Sequence, residues 1–275
     1  MSTLLLQSLH EGVLTLTLNR PEKRNALSGE LVAALASALA EAELDGAVRV
    51  VCIRGAGKDF CAGADLRELL DSADRSPAEN GAEALRLGAI FLALRALPKP
   101  VVAVVAGRAL AGGAGLATAC DLVVMAESAS LGYPEIQRGF VPAMVTTMLR
   151  RLVGERVAFD LVATGRVLRA SEALQLGLVS YVVQDRALQD EAERLLRALT
   201  ASSLSALAMT KRLLYEQDGL SFEDGIALGA RVNAAARATP DFRQAPVFFL
   251  KCCNLRANCA TSVAISGLFH PPIYG

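Results

Sequence analysis

Residues 109–121 read "ALAGGAGLATACD" and follow the apolar run "KPVVAVVAGR" at 99–108. The valine-rich part of that run reads as a buried strand, since β-branched side chains pack well on a pleated surface. The stretch after it holds three glycines among alanines and carries no charge until Asp121. Small residues between a buried strand and a helix let the backbone come close to another group.

A dinucleotide site is one reading of strand, glycine turn and helix. Gly113 and Gly115 have the first spacing, and Glu135 falls near the position of a ribose-binding acid. Thr118 stands where the third glycine belongs, however, and Asp121 already begins the next strand, "DLVVMA". That leaves barely two helical turns, too few for such a crossover, and Glu135 follows Pro134 instead of ending a strand. No GxxxxGK[ST] pattern occurs. Tight helix–strand packing also accounts for the glycines taken alone.

A second stretch bears on the choice. "KDFCAGADL" at 58–66 also follows a buried strand, "VRVVCIRGAG" at 48–57, and also leads into a helix. Two such turns can each aim a main-chain N–H at one oxygen. That is the arrangement that stabilises charge developing on a carbonyl. Backbone donors of this kind need small residues around them, which the alanines and glycines provide.

Working outward, "TLLLQSLHEG" and "VLTLTLNR" form a hairpin around Glu11-Gly12. Ser28 caps a helix running to about Leu44. A short helix is expected near Arg67–Leu70, a polar loop at 71–81, and a long helix at 82–96 that Pro98 and Pro100 stop. Strands at 13–18, 48–54, 101–106 and 122–125, separated by helices, imply a mainly parallel sheet and a spiral of β-β-α turns. From Ala143 onward the pattern is helical, with "LVSYVV" at 178–183 the one strand expected. The fold class is therefore α/β with a helical C-terminal region.

The chain has 275 residues, 53% apolar, with 28 Lys plus Arg against 28 Asp plus Glu. It can bury a large core, and no overall basic field draws in nucleic acid. No stretch reaches the roughly 18 apolar residues of a membrane span, and "MSTLLLQSLHEG" has no basic region or small-residue cleavage site. Six cysteines show no paired zinc spacing, and the two histidines are His10 and His270. A cytoplasmic, metal-free protein is expected, and one that does not work through a Ser-His-Asp or Cys-His mechanism.

Five stretches, in order, resemble the crotonase (enoyl-CoA hydratase/isomerase) superfamily: "LNRPEKRNALS" (18–28), "DFCAGADL" (59–66), "GRALAGGAGLATACDLVV" (107–124), "GYPEIQRGFVP" (132–142) and "ATGRVLRASEALQLGLVSYVV" (163–183). The resemblance spans about residues 3–250. It implies a crotonase-like spiral over 1–200, a helical trimerisation region over 201–250, homotrimers or hexamers, and an acyl-CoA thioester as ligand, with no cofactor beyond its CoA. Carried over by position, Ala64 and Gly112 supply the two amides. Ala62, Ala64 and Leu66 bracket the adenine, with Ala26 nearby. Lys23, Arg24 and more weakly Arg67 lie by the CoA phosphates or pantetheine arm.

The resemblance also implies two glutamates for a fully equipped hydratase. One is present as Glu135; the other position holds Gly115. A single carboxyl can move a proton between C2 and C4, or activate water and return a proton to C2. Hydration of a 2-enoyl-CoA is favoured slightly over 3-enoyl to 2-enoyl isomerisation, and a non-catalytic acyl-CoA-binding protein is the rival class. The bare Gly115 is expected to open the pocket toward a branched or bulky acyl group, with Tyr133, Val141 and Met144 also lining it. Apolar neighbours should raise the carboxyl pKa of Glu135; the competing reading pairs it with Arg138 on the surface. Tyr133 is expected to bond Glu135, to line the pocket, or simply to pack. Pro246 interrupts the expected last helix, and 251–275 departs from the family pattern, as a disordered extension or a shifted reading frame would.

Overall fold

The computed structural model describes residues 3–244. Pro246, Lys251 and the atypical stretch 251–275 lie outside the described residues. Nine strands and nine α-helices are named in chain order among those described. The strands are β1 Leu5–His10, β2 Val13–Leu18, β3 Val50–Gly55, β4 Val101–Val105, β5 Arg108–Leu110, β6 Leu122–Ala126, β7 Ser130–Gly132, β8 Val167–Arg169 and β9 Tyr181–Val183. The helices are α1 Gly29–Leu44, α2 Leu66–Asp71, α3 Pro77–Ala96, α4 Gly112–Ala119, α5 Ala143–Thr164, α6 Ala170–Gln175, α7 Leu188–Thr200, α8 Leu204–Glu216 and α9 Phe222–Ala236.

The large sheet has the order β1-β2-β3-β4-β6-β9. Only the opening hairpin is antiparallel, with Leu5 opposite Leu18 and His10 opposite Val13; the other pairs are parallel. Its central strands are apolar on both faces because both faces are covered. Val51 and Ile53 of β3 point into the main core with α1 and α3. Val50 and Cys52 point the other way, with Val102 and Val104, onto Ala192 and Leu196 of α7.

A second, smaller sheet pairs β5 with β7 and β7 with β8. Two isolated parallel bridges continue its layer, Cys61 with Ala109 and Leu27 with Ala64. Each turn of the chain therefore lays one strand in the large sheet, one short extended piece in the second layer, and one helix. This is the β-β-α spiral expected from the recurring valine strands. The three-residue strands β5, β7 and β8 have no period to read and are additions to the expected elements.

One helix start differs from expectation. α3 begins at Pro77, not near Ala82, because Ser76 and Glu79 form a reciprocal capping box and Pro77 takes the first helical position. Within α5, Gly154 leaves helical geometry at φ +74 and breaks the helix. α8 is tied to the core by Lys211. Its ammonium donates to Asp121 Oδ2 at 2.7 Å, Leu94 O at 2.7 Å and Lys99 O at 3.0 Å, while Tyr215 donates to Asp121 Oδ1. Among the described residues no helix is long and apolar enough to cross a membrane.

Candidate active site

The loop before α1 is held by Asn25, which is fully buried in a left-handed conformation with φ +55. Asparagine tolerates that region better than most residues. Its side chain accepts from Arg20 N and donates to Ala56 O and Asp59 O. Arg20 then reaches Ala26 O and Asp65 Oδ2, the latter at 2.7 Å. The loop carrying Lys23, Arg24 and Ala26 is thus fastened to the 58–66 stretch. The Arg20 guanidinium holds the Asp65 carboxyl below its ordinary range. Asp65 also caps α2 by accepting from Arg67 N.

The 58–66 stretch is fastened in turn to the glycine turn. Asp59 accepts from Arg108 N, Nε and Nη2 at 2.8–3.0 Å. Leu110 N donates to Cys61 O, and Cys61 N to Arg108 O. A Cβ on Gly113 would overlap the carbonyl oxygen of Cys61, so this glycine is needed for close backbone approach. Gly63 has φ +98, and a Cβ there would lie 2.8 Å from Ala111 Cβ.

Two amide groups are left over by this packing. In the parallel bridge Leu27 donates to Gly63 O and accepts from Asp65 N, so the N–H of Ala64 faces away from Leu27. Gly112 is the first residue of α4, where an N–H has no intrahelical acceptor. Among the described residues neither amide is paired. They stand side by side: a Cβ on Gly63 would be 3.5 Å from Gly112 N, and one on Gly112 would be 4.0 Å from Ala64 N. Ala111 turns the chain into α4 at φ +53, ψ −125, a strained conformation for alanine of the kind found at functional sites. Two such donors, one at the positive end of a helix, can share a single carbonyl oxygen.

Both amides border a cavity of about 490 Å³. Of the residues singled out in the sequence, Lys23, Arg24, Ala26, Ala62, Ala64, Leu66, Arg67, Gly112, Glu135, Val141 and Met144 all line it. Glu135 lies in the 3-10 turn Pro134–Arg138 and is 8% exposed. Among the described residues its Oε2 is buried with no hydrogen-bond partner. Burial is the main influence on it and raises its carboxyl pKa, with the nearby Arg138 charge opposing. Among the described residues Glu135 Oε2 has no partner on Arg138, and Arg138 itself lines the cavity.

Two expected pocket residues lie elsewhere. Tyr133 is 1% exposed, and its hydroxyl lies 3.3 Å from Thr118 Oγ1; it packs instead of lining the cavity. Gly115 does not border the cavity either. The space beside it is occupied, since a Cβ there would overlap Val145 Cγ1 and lie 3.0 Å from Phe91 Cζ. The open volume expected from the missing side chain is absent. Leu87 of α3 lines the cavity without having been singled out. Its helix is expected from the sequence, but nothing local marks the face that turns toward the site. Among the described residues no cluster of three or more His, Cys, Asp or Glu is placed to hold a metal.

Residues 8–251 match the family model described as enoyl-CoA hydratase/isomerase. A putative enoyl-CoA hydratase of Thermus thermophilus is 45% identical over 82% of this chain and 90% of its own length. The 1,2-epoxyphenylacetyl-CoA isomerase of Escherichia coli is 32% identical over 91% of this chain and 96% of its own. The crystal structure of an enoyl-CoA hydratase from Mycobacterium smegmatis superposes with a TM-score of 0.87 at 37% identity, covering 91% of this chain and 97% of that one. The five motifs, the two-layer spiral and these matches agree: the chain belongs to the enoyl-CoA hydratase/isomerase family, the crotonase superfamily.

Proposed function

We propose that the chain is an enzyme that hydrates a 2-enoyl-CoA thioester, with Ala64 and Gly112 N–H holding the thioester oxygen and Glu135 serving as both base and acid. The observation that carries this reading is a buried carboxyl on the same cavity as two adjacent amides, none of them paired among the described residues. The Glu135 carboxylate takes a proton from water as the water oxygen bonds to C3. The C2–C3 π electrons shift toward the carbonyl, and the oxygen gains negative charge that the two amides stabilise. The protonated Glu135 then returns its proton to C2 as the enolate collapses, so one water is added and the carboxylate is regenerated. A carboxyl raised by burial suits a group that must give as well as take a proton.

The cationic side chains of Lys23, Arg24 and Arg67 at the cavity would pair with CoA phosphates, and the main chain of 62–66 would hold the adenine. Isomerisation of a 3-enoyl-CoA is the second reading. It is favoured by one feature: the other acid at the cavity, Asp65, is engaged by Arg20, which leaves one carboxyl to carry a proton from C2 to C4. A homotrimer or hexamer is proposed with the helices after residue 200 at the contact. This is supported by α9, which buries none of its residues and exposes Phe222 and Ile226.

Absorbance of the conjugated enoyl thioester tests the reaction. Loss of signal from a 2-enoyl-CoA means hydration, and gain from a 3-enoyl-CoA means isomerisation. Glu135→Gln should lower the rate by about 10²–10⁴-fold. If neither signal changes, or if the variant equals the parent, the chain is a binding protein on an enzyme scaffold.

A further inference from the structure

Gly115 follows Gly112 by three positions on α4, so the two share one helix face. Whatever fills the space beside Gly115 therefore borders the region next to the carbonyl that Gly112 N–H would hold. Val145, the third residue of α5, fills it: its Cγ1 takes the place of a Cβ on Gly115, with Phe91 Cζ behind. Val145 is buried, packs in the main core, and also lines the cavity. Met144 beside it approaches α3 at Gly88, where a Cβ would lie 3.6 Å from Met144 Cγ. The wall at this point is thus a three-helix contact of α3, α4 and α5, and Val145 reaches both the α4 side of that contact and the cavity.

We propose that Val145 is a specificity-determining residue: it closes the space beside Gly115 and restricts the cavity to acyl groups unbranched at the carbons nearest the thioester. The inference rests on the acyl-CoA reading above, and concerns the shape of that site and not its chemistry. A valine is stiff at χ1 and this one is buried in the core beside Gly115, so moving it aside to admit a methyl branch would disturb the packing. Such a wall discriminates by steric exclusion, on the scale of one methylene or methyl group.

Binding of saturated thioesters tests this without any turnover. Calorimetric titration compares butanoyl-CoA with 2-methylbutanoyl-CoA and 3-methylbutanoyl-CoA, using the full chain and Val145→Ala. The parent should bind the straight chain more tightly, and Val145→Ala should shift the ratio by about tenfold toward a branched ligand. A ratio unchanged within about twofold, in a variant with parental circular dichroism, overturns the proposal. A second measurement checks the packing alone. Gly115→Ala should lower Tm, and Gly115→Ala/Val145→Ala should recover part of the loss. If Gly115→Ala is as stable as the parent, or the double variant melts no higher than Gly115→Ala alone, the space is not filled as described and the proposal fails. Loss of enoyl turnover in the parent would sink the reaction reading while leaving both of these measurements interpretable.

Discussion

Gly63→Ala should disable the site from outside the chemistry. Gly63 has φ +98, and the new Cβ would lie 2.8 Å from Ala111 Cβ, 3.0 Å from Leu110 O and 3.5 Å from Gly112 N. Carbon pairs prefer about 3.5–4.0 Å, so the two turns must separate by about 1 Å at this point. Holding alanine at positive φ costs about 1–2 kcal/mol, and the overlap adds about 1–3 kcal/mol. The sum is about 2–5 kcal/mol, or a Tm lower by roughly 5–15 °C for a chain of this size. The separation moves the Ala64 amide relative to that of Gly112. Loss of one such donor costs about 10²–10³-fold in kcat. Turnover of a 2-enoyl-CoA, measured well below the lowered Tm, should show that fall with KM little changed. Gly81→Ala is the control, because a Cβ there meets nothing within 4 Å and the residue lies within α3; its stability should hold or rise slightly. A Gly63→Ala protein with parental Tm and kcat within about threefold would refute the claim that the two turns are locked at this contact.

Burial raises the Glu135 pKa above its ordinary value of 4.5, so the folded state binds more protons than the unfolded state, and stability falls as pH rises from 4.5 into the raised range. Glu135→Gln should therefore melt higher than the parent at pH 7.5 and lose that advantage near pH 4, as followed by thermal unfolding at both pH values. Lys211→Met leaves Asp121 and two main-chain carbonyls without their shared cation, which should destabilise by about 3 kcal/mol in urea unfolding. Lys23→Ala and Arg24→Ala should each raise KM for a CoA thioester with little change in kcat. The effect should shrink as ionic strength rises, since both side chains are exposed.

The sequence carried the layout of the spiral because that layout is written in long, periodic elements. The apolar runs of β3 and β4 can only be strands covered on both sides, and α7 and α1 cover them. It carried less of the second layer. β5, β7 and β8 are three residues each, too short for a period of two to stand out, yet this layer brings Cys61 beside Ala109 and Leu27 beside Ala64. The start of α3 was legible in principle from the Ser-Pro-Ala-Glu cap, but its polar composition reads equally as a loop. Gly115 is the sharpest case. A missing side chain reads as missing volume only if the neighbours stay where they were, and which neighbour faces position 115 depends on how α5 crosses α4, thirty residues later in the chain. Protein interiors are close-packed, so the loss of one side chain is met by another's approach. Here Val145 makes that approach. Gly115→Glu alone would collide with Val145 and should fail to fold normally, whereas Gly115→Glu/Val145→Gly removes the nearest clash, leaves Phe91 Cζ to shift, and should fold closer to the parent. Circular dichroism and enoyl turnover of both variants would decide whether the contact, and not position 115 by itself, keeps this a one-carboxyl site.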